Sequence, residues 1–123
     1  QAGDLAKVGV SHMNLGRVAA RSEDFATANN EFTRAFNALE KTAFWNGLAR
    51  WYEYVADMKI QEGNYTHAVL CAEKRIESAR SHANRSVERS AWLQKARALE
   101  LAGRTEQAAA CRREAQGDPA SDA

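Results

Sequence analysis

The amino-acid sequence predicts an all-α protein arranged as three antiparallel helix pairs. One proline and few β-branched residues stand against long runs of Ala, Leu, Glu, Arg and Lys, which are the residues that cost least in a helix. Apolar residues recur at spacings of three and four through most of the chain, the mark of helices with one buried face. The sequence also matches itself at a shift of 40 residues. Ala28, Ala68 and Ala108 superpose, as do Gly63 and Gly103, Cys71 and Cys111, and Tyr52 and Trp92. Asp24-Phe25 falls on Asn64-Tyr65, Leu15-Gly16 on Val55-Ala56, and Ala56 on Ala96. Three such units fill the 123-residue length, at about residues 4–41, 43–82 and 84–116.

Each unit splits into two helical stretches at a short breaker. In the first, Leu5, Val8, His12, Leu15 and Ala19 mark the buried stripe of a helix ending near Arg21-Ser22. A second helix opens at Ser22-Glu23-Asp24 and buries Phe25, Ala28, Phe32, Ala35, Phe36 and Leu39. The third carries Leu48, Trp51, Tyr52, Val55, Ala56, Met58, Lys59 and Ile60, and Glu62-Gly63-Asn64 then supplies a helix stop and an N-cap back to back. Tyr65, Ala68, Val69, Ala72 and Ile76 form the fourth stripe, and Val87, Ala91, Trp92, Ala96 and Leu99 the fifth, before Gly103. A shorter, Ala-rich sixth helix runs from about Thr105 to Glu114. Gly117-Asp118-Pro119 stops it, and residues 117–123 have the composition of a disordered tail.

With 17 Lys and Arg against 16 Asp and Glu, the net charge of +1 argues against a strongly basic nucleic-acid binder. Charged residues at 27% mixed with apolar ones at 45% argue against disorder. No apolar run approaches the roughly 20 residues of a membrane span, so no membrane partner is expected. Cys71 and Cys111 are too few for a disulfide scaffold, which favours a reducing, cytoplasmic setting. The chain opens on Gln1 rather than Met, and a processed protein or a piece of a longer one is expected.

These features resemble the tetratricopeptide repeat family over about residues 8 to 119. Leu15-Gly16, Asp24-Phe25, Ala28, Phe32 and Ala35 match its pattern in the first unit. Tyr52, Val55-Ala56, Gly63-Asn64-Tyr65 and Ala68 match in the second, and Trp92, Ala96, Gly103, Ala108 and Ala115 in the third. Ala72, Arg75 and Arg112 depart from it, standing where an aromatic, Ala and an aromatic are expected. The 40-residue period exceeds the usual 34 and is similar to the longer repeats of bacterial signalling and transcription-regulating proteins and of adaptor proteins. A HEAT-type array has a similar period but lacks the Gly-Asn-Tyr turn. The resemblance implies a right-handed superhelical array, an α-solenoid, whose first helices line a concave face. It implies a protein-interaction module that holds a peptide or partner protein there. The alternative is a peptide-sensing regulatory domain of a larger signalling or transcription-regulating protein. Self-association through the terminal repeats is a further expectation.

On the family's groove positions the lining is Met13, Asn14, Arg17 and Arg21 from the first unit, then Glu53, Tyr54, Asp57, Ile60 and Gln61 from the second. Leu93, Gln94, Arg97 and Glu100 follow from the third. That mixture of Arg, acid and apolar anchors suits a peptide better than a metabolite. Met13 and Glu53 take two places needed for the Asn, Lys and Arg clamp with which some relatives hold a terminal carboxylate, so that mode is not expected.

Catalytic and metal chemistry have little support. His67 and Cys71 lie at i and i+4, and Cys111 is the equivalent of Cys71 one unit later, but a structural zinc site needs about four ligands. No metal and no cofactor are therefore expected. Glu53 and Asp57 are one turn apart, yet paired carboxylates act as acid and base only where a cleft separates their pKa values. The seven glycines are scattered, with no phosphate-cradling loop, and no enzymatic activity is expected. Residues 73 to 97 hold Lys74, Arg75, Arg80, Arg85, Arg89, Lys95 and Arg97 against Glu73, Glu77 and Glu88. This excess spans two helices and a loop and reads as a solvated face.

Overall fold

A computed structural model describes residues 2–117. The tail expected at 118–123, with Asp118-Pro119 of the last helix stop, lies outside the described residues. Six α-helices follow one another, and among the described residues there is no strand. They are α1 (Ala2–Arg21), α2 (Phe25–Leu39), α3 (Trp45–Gln61), α4 (Tyr65–Ser81), α5 (Arg85–Leu101) and α6 (Thr105–Gln116). Each helix packs on its sequence neighbour, and α3 also touches α1 and α5. No described helix is long and apolar enough to cross a membrane.

The turns inside the pairs repeat a single device. At Glu23, Gly63 and Gly103 the backbone enters the left-handed region with φ of 60°, 78° and 83°. The next amide then reaches back to the helix it has left: Asp24 N to Ala19 O at 2.9 Å, Asn64 N to Lys59 O at 2.8 Å, and Arg104 N to Leu99 O at 2.8 Å. This satisfies carbonyls that the helix end would otherwise leave without a partner. The α4–α5 turn does the same through Ala83, at φ 52°, with Asn84 N donating to Ala79 O at 2.8 Å. Asp24, Asn64 and Asn84 then cap the following helices through their side chains, accepting from the amides of Thr27, His67 and Val87. The hydrogen bond from Thr27 holds the Asp24 carboxyl below its ordinary pKa.

Small residues sit at the crossings within each pair. Ala28, Ala68 and Ala108 are fully buried, and the column Gly16, Ala56, Ala96 is buried beside them. At Gly16 a methyl group would stand 2.9 Å from the Phe32 ring, so α1 can lie this close to α2 only without a side chain there. This corrects the stripe read from sequence on α1. Val8 and Leu15 are exposed, Ala19 is buried as expected, and Gly9, Met13, Gly16 and Ala20 turn inward beside it. The glycines carry no hydrophobic signal, so periodicity alone placed the buried face one residue out of phase. Met13 packs with Phe32, Ala35, Val55 and Met58 in a core between the first two pairs. Ile60, Ala68 and Ala98 form another cluster, and Ala96, Leu99, Ala108 and Cys111 a third.

Candidate functional site

An open cleft of about 260 Å³ lies between α1 and α3. One wall is Arg17 and Arg21, a turn apart on α1. The other is Glu53, Tyr54, Asp57 and Gln61, which the helical period places on one face of α3, and Ala20, Phe32 and Met58 complete the lining. The Arg17 guanidinium carbon stands 4.1 Å from the centre of the Tyr54 ring, a cation–π stack that joins the two walls. Cationic and anionic side chains thus face each other across the cleft with a tyrosine between them.

The corresponding space between α3 and α5 is closed. Gln94, which stands one period after Tyr54, donates through Nε2 to the Glu53 carbonyl oxygen and to Asp57 Oδ1, each at 2.9 Å. Its Oε1 accepts from Arg75 Nη1 at 2.9 Å. Arg75 Nη2 donates to Ser90 Oγ at 3.3 Å and lies 3.7 Å from Glu53 Oε1. Only 3% of Arg75 is exposed, and its Nε has no hydrogen-bond partner. Burial pulls the Arg75 pKa down while the Glu53 and Asp57 carboxylates hold it up. The net result is a side-chain bridge that fixes the acidic wall of the open cleft.

Of the residues expected from sequence, Arg17, Arg21, Glu53, Tyr54, Asp57 and Gln61 therefore meet in one cleft. Met13 and Ile60 do not line it. Both are buried in the core, because the inward faces of α1 and α3 include the positions that the groove pattern assigns to the surface. Asn14 and Arg97 are exposed outside the cleft, as is Glu100, which pairs with Arg112 at 2.7 Å. Leu93 lines a separate depression with Arg85, Arg89 and Ser90. Sequence reasoning missed Ser90 and the role of Arg75, whose one signal was an arginine where Ala35 and Ala115 stand in the other units.

Of the basic run, Lys74, Arg80, Arg85, Arg89 and Arg97 are exposed, as expected of a solvated face, and Arg75 is buried. Lys95 pairs with Glu73, and Arg80 and Arg85 both reach Glu88. The His67 ring is held in its turn, with Nδ1 3.0 Å from Asn64 Nδ2. Cys71 is half-buried and Cys111 buried, both are free thiols, and burial pushes both pKa values up. Among the described residues no three His, Cys, Asp or Glu gather as a metal site would require. Comparison of the chain with protein-family models, with curated proteins and with solved structures finds no match.

Proposed function

We propose that the protein is an interaction module that holds an extended peptide segment of a partner protein in the α1/α3 cleft. The arrangement implied by the tetratricopeptide resemblance, with α1, α3 and α5 lining the concave side of a superhelical array, belongs to the same reading. So does a reducing, cytoplasmic setting, in which Cys71 and Cys111 stay free. The observation that carries the proposal is the pairing of opposite walls. Arg17 and Arg21 suit an acidic side chain or backbone carbonyls, Glu53 and Asp57 suit a basic side chain or backbone amides, and Tyr54 offers a rigid surface between them. An extended chain presents both kinds of group.

Peptide-array selection with the purified protein, followed by calorimetry on the best binder, tests this. Tyr54→Ala and Arg17→Ala are each expected to weaken binding by about 2 kcal/mol, the scale of interface anchors of these types. Leu93→Ala, outside the cleft, is expected to change it little. Binding that is indifferent to Tyr54 and Arg17 would refute the assignment.

A further inference from the structure

Three of the seven large apolar side chains exposed among the described residues lie on one helix, α1: Val8, Leu15 and Val18, which are 46%, 54% and 61% exposed. Of the other four, Phe44 precedes α3, Leu70 is on α4, and Leu93 and Leu101 lie more than two turns apart on α5. The α1 residues fall on one face. Asp4, Val8, Ser11, Leu15, Val18 and Ser22 are all exposed and follow each other at spacings of four, three, four, three and four, which is the spacing of a helix-pairing seam.

The repeat shows how the equivalent faces pack in the later units. One period on, Val8, Ser11, Leu15 and Val18 become Leu48, Trp51, Val55 and Met58. Val55 and Met58 are buried in the core shared with the preceding pair, and Trp51 packs there too. Two periods on, Ser11 and Val18 become Ala91 and Ala98, both fully buried. In the second and third units these positions pack against the unit before, in the third partly through Glu88 and Lys95 paired with Arg80 and Glu73 of α4; in the first unit no described residue covers them. Among the described residues, α6 supplies no match for a head-to-tail contact. The α6 positions equivalent to the covering residues Phe32 and Phe36 are Arg112 and Gln116.

We infer that this face docks on the same face of a second copy of the chain, with the two α1 helices antiparallel. A two-fold axis lets one stripe serve both partners. Setting residues whose numbers sum to 26 against each other puts Val8 on the partner's Val18 and Ser11 on the partner's Leu15, the layering that a four–three seam requires. The same register brings first-turn Asp4 to the partner's Ser22 and last-turn Arg21, so that opposite charges meet at both ends. A parallel pairing would instead set Asp4 against Asp4. The apolar seam lies on a different face of α1 from Arg17; Arg21 serves both the cleft wall and the end of the seam, but sedimentation reads the association of copies whatever the cleft binds.

Sedimentation equilibrium of the purified chain tests it. The expected result is a reversible monomer–dimer equilibrium. Leu15→Glu and Val18→Glu, both at exposed positions that the monomer tolerates, each weaken it by about tenfold or more, because a charge enters an apolar seam. Asp4→Arg gathers three cations with Lys7 and the partner's Arg21 and also weakens it. Asp4→Arg combined with Arg21→Asp restores the original charge count across the antiparallel pair and recovers dimerisation. A chain that stays monomeric at about 1 mM, a concentration high enough to reveal even weak association, overturns the proposal. So does an oligomer that Leu15→Glu leaves intact, or a double charge variant that fails to regain what Asp4→Arg lost.

Discussion

Where the first helix pair meets the second, Phe32 and Phe36 of α2 face Trp51 of α3. The Phe36 and Trp51 rings lie 4.9 Å apart, and Trp51 Nε1 donates to the Phe32 carbonyl oxygen at 2.7 Å. Where the second pair meets the third, the places of Phe32 and Trp51 are taken by Ala72 and Ala91, and the place of Ala35 by Arg75. Large apolar and small residues have changed places, and the larger one has become charged. The backbones respond: α4 and α5 approach closely along their length, whereas α2 and α3 are kept apart by the rings. The connections match, a three-residue turn at 82–84 against a five-residue loop at 40–44. One repeat plan therefore accommodates an aromatic junction and a polar one. The difference also decides where the surface is open, because the α1/α3 space stays a cleft while Gln94 and Arg75 bridge α3 to α5.

The comparison can be broken most forcefully at Trp51. Trp51→Ala removes the side chain that spaces the first junction and leaves Phe36 unsupported. It is expected to cost about 3–5 kcal/mol in urea denaturation, as for large aromatic truncations in cores. A loss below about 1 kcal/mol would mean that the rings fill space without holding the junction.

Arg75 probes the second junction. Arg75→Ala leaves Gln94 and Glu53 without their shared donor and opens a void, with an expected cost of about 2–3 kcal/mol. That sits below the usual range for breaking a buried pair because Glu53 is partly exposed. Arg75→Met fills the same space without a charge to bury and is expected to stay within about 1 kcal/mol of the native protein. If both variants lose the same amount, the polar bridge itself carries the stability.

The turns offer a smaller and opposite effect. Ala83 holds the tight α4–α5 turn at a positive φ that a side chain disfavours, so Ala83→Gly is expected to stabilise the protein by about 0.5–1 kcal/mol, read as a shift of the urea midpoint. The same change at Thr42, in the longer first-junction loop, is expected to destabilise, because its hydroxyl accepts from the Phe44 amide and donates to the Leu39 carbonyl.

The smallest effect is acid sensitivity at the second junction. Burial works against ionisation of Glu88, but hydrogen bonds from Trp92 and Arg80 and the charges of Arg80 and Arg85 outweigh it, and the carboxyl is held below its ordinary pKa. A carboxyl depressed in the folded state contributes stability above its unfolded pKa and loses it as pH falls through the folded value. Urea midpoints measured downward through the acid range should therefore fall more for the native chain than for Glu88→Gln.

The helix pairs were legible in the sequence because turn chemistry is local. Asp24, Gly63-Asn64 and Gly103 announce their turns whatever packs around them. The buried face of α1 was less legible, since Gly9 and Gly16 are inward for lack of a side chain while Leu15, the strongest apolar signal, points out. Six of the cleft residues could be listed from their helical positions. That the second space is closed could not be read, because it depends on Arg75 reaching from α4 to a glutamine 19 residues later. The fully buried alanines pose the same difficulty in another form: a small residue does not reveal which neighbour it admits.

The most direct test of an open first cleft and a closed second one is a 1H–15N correlation spectrum of the labelled protein, titrated with the best peptide from array selection. The account predicts that the largest shifts fall on α1 and α3, at the amides around Arg17, Arg21, Tyr54 and Asp57 and on the Gln61 side chain, with Gln94 and Ser90 little changed. Shifts centred on α5 around Ser90, Gln94 and Arg97, with α1 silent, would contradict it.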